Sequence, residues 1–335
     1  MKLLITGGAG FVGAHLARTL LARGTLAGAP IDQIVLADQF APPADLLAEP
    51  RVRALTGPLL EQCAGFARER FDGVYHLASA VSGECELDFD LGMRSNLDST
   101  RALLDALRAG GNVPRLVFSS SVAVFGPDPG RPMPPVVADD TLPAPQTSYG
   151  TQKLMCEHLI ADMTRKGFID GRAARLMTVT VRPGKPNAAA SSFFSGVIRE
   201  PLAGAPAICP VDASVSHPVA SPARTIDALV RVYEASRDEV RGRLALNLPA
   251  LNVTVQQMLD ALEAVAGAKV RALVTFERDE RIANIVANWP TGASAARANA
   301  LGLRGDASFE DIIRQYIADC RARPDAATTL KGLAL

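Results

Sequence analysis

The chain opens with Met1–Gly13, MKLLITGGAGFVG, and the reading of this stretch decides the fold. The apolar run Lys2–Thr6 predicts a buried β-strand. It breaks into Gly7, Gly8, Gly10 and Gly13, after which Phe11–Arg23 carries helical periodicity. Strand, glycine-rich turn and helix is the geometry that sets a pyrophosphate on a helix N-terminus, where unpaired backbone N–H groups and the helix dipole favour anions. Gly7 would permit the tight turn, Gly10 the close approach of backbone to phosphate, and Gly13 the packing of helix on strand. The same spacing also serves purely structural turns, so its meaning depends on the residues downstream.

Downstream of the turn, strands and helices alternate. Ile31–Asp38, Val52–Leu55, Gly73–Ala78, Arg115–Ser120 and Leu176–Val181 read as strands, and Leu59–Arg70, Asp88–Ala109 and Tyr149–Lys166 as helices. Such alternation predicts βαβ crossovers and a doubly wound parallel sheet of the α/β class. Pro127 to Pro145 holds seven prolines and reads as an ordered loop. From about Arg182 the pattern changes, with helices expected at Ser195–Ala203, Ala223–Ser236, Thr254–Ala266 and Phe309–Arg323 and a loose tail after Pro324. The expected division is a nucleotide-binding domain over 1–184 and a smaller α/β substrate-binding part over 185–335, with a segment near 210–240 returning to the first core.

Composition narrows the function classes. The 335 residues carry 35 basic and 35 acidic side chains, so bulk charge steers the protein to neither nucleic acid nor an anionic membrane. Five scattered cysteines, with no CxxC, argue against a zinc site or a disulfide framework and for a reducing cytoplasm. No metal site, signal peptide or membrane span is expected.

Asp38 ends the second strand, where a carboxylate can accept hydrogen bonds from both hydroxyls of an adenosine ribose and repel a 2′-phosphate; that favours NAD. Its alternative is a solvated strand end. Tyr149 and Lys153 form a YxxxK, and the i, i+4 spacing puts both on one helix face. A tyrosine acting as a base near pH 7 must lose about three pKa units, or roughly 4 kcal/mol. A lysine ammonium about 4 Å away supplies about that much at an effective dielectric near 20. The pair is a candidate general base for an alcohol proton. Ser121, at the end of Phe118–Gly126, is placed to hydrogen-bond the same oxygen.

Taken together, Gly7–Gly13, Asp38, His76-Leu77-Ala78, Asn96, Ser119–Gly126 and Tyr149–Lys153 resemble the extended short-chain dehydrogenase/reductases, a Rossmann-fold family that includes sugar-nucleotide epimerases. The resemblance implies Ser121, Tyr149 and Lys153 as the catalytic set. It implies Gly7, Gly10, Phe11, Val12, Asp38, Leu59, Leu77, Ala78, Asn96, Tyr149 and Lys153 on the NAD side. Two departures stand out. Where the family often has Gly-Asp-(apolar) after the third strand, with the Asp near adenine, this chain has Gly57-Pro58-Leu59, so the adenine contact must differ. Phe125-Gly126 stands for Tyr-Gly. Val122 and Ala123 replace the acidic pair of the dehydratases, which argues against 4,6-dehydration.

More locally, Ser82-Gly83-Glu84, Asp88–Gly92, Arg182–Asn187, Ser191–Ser195, Ile198–Leu202 and Ser221-Pro222 resemble the D-erythronate dehydrogenases, which oxidise a four-carbon sugar acid at C2. That implies a small sugar-acid substrate. A small polyhydroxy acid needs a cation and hydroxyl-binding groups. The candidates are Ser82, Ser121, Tyr149, Asn187, Ser192, Arg199 and His217, with Lys185 and Glu84 beside them. Arg199 and Lys185 read equally as solvated charges, His217 as an ordinary loop histidine, and His76 as a satisfied core residue. A sugar-nucleotide 4-epimerase using the same Ser/Tyr/Lys is the alternative activity, and a non-catalytic NAD-binding regulator a further one. By analogy with relatives, a homodimer is expected.

Overall fold

The computed structural model describes residues 1–184 and 190–334. Its centre is a parallel sheet of seven strands: β1 (Lys2–Thr6), β2 (Gln33–Asp38), β3 (Val52–Thr56), β4 (Gly73–His76), β5 (Arg115–Ser121), β6 (Asp170–Leu176) and β7 (Leu246–Asn247). The spatial order is β3-β2-β1-β4-β5-β6-β7, parallel throughout. The winding reverses between β1 and β4, and at such a switch point the two connections leave in opposite directions and open a crevice at the strands' carboxyl ends. Leu3, Leu4 and Ile5 are fully buried, because helices cover both faces. On one face lie α1 (Phe11–Arg23) and α6 (Pro222–Glu234). On the other lie α2 (Leu59–Phe66), α3 (Ser99–Gly110) and α4 (Ser148–Arg165).

A second apolar core is built from α5 (Ser192–Leu202), α7 (Val255–Ala266) and α8 (Phe309–Arg321). The first core draws on late sequence too. Ile226, Leu229 and Tyr233 of α6, Leu246 of β7, and Ala295 and Ala298 all pack into it.

Three elements differ from the sequence reading. The sixth strand is Asp170–Leu176, not Leu176–Val181. Its DGRAAR start hides the pattern, because two arginines are buried in it. The Arg172 guanidinium donates to the Val232 carbonyl at 2.9 Å and pairs with Asp170, while Arg175 pairs with Glu157 of α4 at 2.8 Å. Beyond it the chain turns away, and Thr178–Val179 joins Ser216–Ala220 in a separate small sheet. The single helix expected over Asp88–Ala109 is interrupted by a π-type turn at Met93–Asp98, a widening often found at functional sites.

The tail after Pro324 is not loose. Ala326–Thr329 is helical, and Leu330 and Leu333 pack on the second core. Gly332 presses on the end of α5 so closely that a Cβ there would lie 2.1 Å from the Pro201 carbonyl oxygen and 2.9 Å from the Gly204 nitrogen. None of the described helices is long and apolar enough to cross a membrane. Gly332→Val should therefore lower the thermal midpoint by about 3 °C or more, the cost of overpacking against fixed backbone. Calorimetry giving an unchanged midpoint would disprove the close fit.

Candidate active site

The glycine turn leaves no room for side chains. Gly7 sits at φ +71°, and a Cβ on it would lie 2.7 Å from the Ala78 nitrogen; one on Gly13 would lie 2.1 Å from the Gly7 carbonyl oxygen. Gly10 precedes α1 with no side-chain cap, so the first N–H groups of the helix face outward unclaimed by a capping group. Asp38 braces the turn: Oδ2 accepts the Ala9 N–H at 3.0 Å and Oδ1 the Phe40 N–H at 3.1 Å. Each carboxylate oxygen keeps a further lone pair for a ribose hydroxyl. Leu59 opens α2 on the neighbouring strand end. A cradle closed to any Cβ, an uncapped helix N-terminus and a carboxylate at the second strand end fit a dinucleotide such as NAD.

The connection after β4 is held from behind. His76 is fully buried, with Nδ1 2.7 Å from Thr6 Oγ1 and Nε2 2.8 Å from Thr100 Oγ1. Thr100 in turn donates to the Asn96 carbonyl. That chain makes Nε2 the protonated nitrogen and Nδ1 the acceptor. Burial pushes the His76 pKa down to about 3, so the ring is neutral and structural. Asn96, on the π-type turn, accepts the Ala80 N–H at 2.8 Å and the Ser79 hydroxyl at 3.0 Å, and donates to Gln152 of α4 at 2.8 Å. It fixes the loop beyond Leu77-Ala78.

Ser121 and Tyr149 meet because two backbone segments nearly touch. The Ser121 hydroxyl caps the turn Val122–Val124, accepting the Ala123 N–H at 3.1 Å. Thr147 caps α4 through the Gly150 N–H at 3.0 Å. A Cβ on Gly150 would lie 2.1 Å from the Ala123 carbonyl oxygen, so only glycine lets the start of α4 reach the end of β5. One helical turn on, Lys153 Nζ donates to the Ser119 carbonyl at 2.8 Å and stands 5.5 Å from the Tyr149 ring centroid.

The electrostatics differ from the sequence expectation. Burial pushes the Tyr149 phenol up to about 12, while hydrogen bonds to Ser121 and Ser79 and the Arg182 charge pull the other way. Burial brings Lys153 down to about 8. The ammonium is itself desolvated and donates to a backbone carbonyl.

A cavity of about 260 Å³ runs from Gly7, Gly10, Phe11 and Val12 past Leu77 to Arg182, Ser192 and Arg199. Arg199 is buried and committed: Nη1 donates to the Arg182 carbonyl at 2.8 Å and Nη2 to Glu200 at 2.6 Å. Arg182 is anchored by its backbone, whose N–H donates to Ser195 Oγ at 3.0 Å, while its guanidinium makes a long contact, 3.4 Å, to Ser191. Arg182, Ser195 and Ser79 were absent from the sequence candidates. Arg182 and Ser195 stand in stretches whose motif resembles the sugar-acid enzymes, and Ser79 follows His76-Leu77-Ala78 directly.

Other candidates lie apart from this cavity. His217 is buried in a strand, its Nε2 2.7 Å from Thr178 Oγ1 and its ring between Phe194 and Trp289, with burial lowering its pKa to about 4. Ser82 begins the short helix Ser82–Leu87, whose first turn Glu84 caps by accepting the Val81 N–H at 2.9 Å. Lys185 and Asn187 lie outside the described residues. The five cysteines are buried and unpaired.

The sequence pattern of the NAD dependent epimerase/dehydratase family matches residues 3–244. A D-erythronate dehydrogenase of Cupriavidus necator is 50% identical over 95% of this chain and 98% of its own length. One of Haemophilus influenzae is 41% identical over 95% and 99%. Among solved structures, a nucleoside-diphosphate-sugar epimerase from Agrobacterium tumefaciens superposes with a TM-score of 0.87 at 42% identity, covering 95% of this chain and 94% of that one.

The lowered Lys153 pKa has a consequence for stability. Between about 8 and the ordinary lysine value of 10.5 the unfolded chain binds a proton that the folded chain does not. Stability therefore gains from this residue as pH rises through that window. In urea titrations at pH 8 and pH 10, Lys153→Met should show a smaller gain, or larger loss, on going to pH 10 than the wild type. Equal changes in the two proteins would contradict the burial of the ammonium.

Proposed function

The chain belongs to the NAD dependent epimerase/dehydratase family, and from that premise we propose that it is an NAD-dependent dehydrogenase that oxidises D-erythronate at C2 to the 2-keto acid. The observation that carries the reading is the near full-length likeness to two D-erythronate dehydrogenases. The joined Ser121–Tyr149–Lys153 site supplies the chemistry for it.

When bound, NAD supplies the acceptor for the hydride that leaves C2. Gly7, Gly10 and the start of α1 would hold its pyrophosphate, Asp38 the adenosine ribose, and Lys153 the nicotinamide ribose. Tyr149 removes the proton of the C2 hydroxyl as the C2–H bond breaks with both electrons, and the C2–O bond becomes a carbonyl. Ser121 donates to the oxygen on which that change occurs. The phenol must ionise for this step, and positive charge is what lowers its pKa. Arg182 is one such charge, and it lowers the pKa of Tyr149.

Arg182 has a second role in this reading. In a 2-hydroxy acid the carboxylate carbon is bonded to C2 itself, so the cation that holds the carboxylate must stand beside the group that deprotonates the C2 hydroxyl. Arg182 fits that demand: its charge acts on Tyr149, and among the described residues its guanidinium pairs with no carboxylate. Arg199, expected to bind substrate, instead holds the Arg182 carbonyl and positions its neighbour. The likeness to a nucleoside-diphosphate-sugar epimerase keeps 4-epimerisation as the competing reading.

Net NADH accumulation separates the two. Wild-type protein should reduce NAD with D-erythronate, and Tyr149→Phe should slow this by about 10²-fold or more. Interconversion of sugar nucleotides with no net absorbance change would establish the epimerase instead. Arg182→Gln should raise KM for the acid about ten- to a hundredfold, the loss of a charge-assisted hydrogen bond. An unchanged KM would remove Arg182 from the substrate site.

A further inference from the structure

The strand ends beyond Asp38 and Gly57 lie side by side, because the Gly57 N–H donates to the Asp38 carbonyl at 2.9 Å. After Gly57 comes Pro58, which has neither an N–H nor a polar side-chain atom, and then Leu59 at the start of α2. Gln62 Nε2 donates to the Gly57 carbonyl at 2.7 Å, and its Oε1 is buried. After Asp38 the chain is turned by the Phe40 N–H, which donates to Asp38 Oδ1. The Phe40 backbone is thus tied to the carboxylate, yet the residue is 73% exposed. Phe40, Pro58 and Leu59 make this rim apolar.

We propose that Phe40 is the adenine platform of this protein, its ring stacking on the base while Leu59 covers the opposite edge. The inference rests on the reading that the site takes NAD with its adenosine ribose on Asp38. A base attached to that ribose falls on the rim just beyond the carboxylate. Pro58 offers a base no N–H and no polar side-chain atom, whereas the neighbouring connection presents the exposed aromatic Phe40. Stacking needs only a π-face, so this arrangement holds a purine without reading its exocyclic group.

Calorimetric titration with ADP-ribose tests this without turnover. Phe40→Ala should weaken binding about tenfold, whereas Phe40→Tyr, and Ile208→Ala at a comparably exposed apolar position elsewhere, should leave it within twofold. Inosine-diphosphate-ribose, which replaces the amino group with a carbonyl, should bind within about threefold of ADP-ribose. Undiminished binding by Phe40→Ala, or tenfold discrimination between the two bases, would overturn the platform and leave the cofactor reading standing. Wild-type protein that binds neither ligand would overturn both.

Discussion

At Gly13 there is no space for a β-carbon. The 2.1 Å that would separate it from the Gly7 carbonyl oxygen is the tightest constraint at the front of the molecule, and much else depends on it. Because α1 can close onto the turn, its uncapped N-terminus points into the crevice between β1 and β4. Because Gly7 adopts φ +71°, the loop after β4 can lie against it at Ala78. The same device recurs at Gly150, where contact with Ala123 brings Tyr149 to Ser121. Two backbone contacts thus set the glycine turn and the Ser121–Tyr149 pair, and the polar networks around His76 and Asn96 hold the loop after β4.

This division of labour bears on the chemistry of Tyr149 and Lys153. A half-buried tyrosine and a buried lysine one helical turn apart each resist their charged form, so the phenol is driven up and the ammonium down. Proximity alone does not overcome desolvation. From spacing alone the lysine is a solvated point charge acting at a mean dielectric. In the structure the ammonium donates to the Ser119 carbonyl, and Arg182 is a cation whose charge lowers the pKa of the phenol.

The parallel sheet was legible in the first half of the chain because its strands are runs of apolar residues closed by glycine or a small polar residue. The glycine turn, Asp38, Ser121, Tyr149 and Lys153 were legible because their spacing is rigid along the chain. Asp170–Leu176 escaped because its strand character depends on partners distant in sequence: Glu157 and the end of α6 neutralise or occupy Arg172 and Arg175, and no local pattern records that. Arg182 and Arg199 could not be ranked for the same reason. Both are arginines near one cavity, and only the hydrogen bonds show which is committed to the protein. His217 reads as a loop residue with polar neighbours, but strand pairing and two aromatic faces bury it.

The first core has an order of assembly written into it. The glycine turn is made well before the segments that seal the face of the sheet behind it, which are α6, β7 and the stretch holding Ala295 and Ala298. Until those segments arrive, the inner faces of β1, β2 and α1 form an apolar surface without a cover. The nascent chain must therefore carry the glycine turn on an incomplete scaffold until those segments emerge, and a chaperone able to shield that surface during this interval would protect the yield of folded protein.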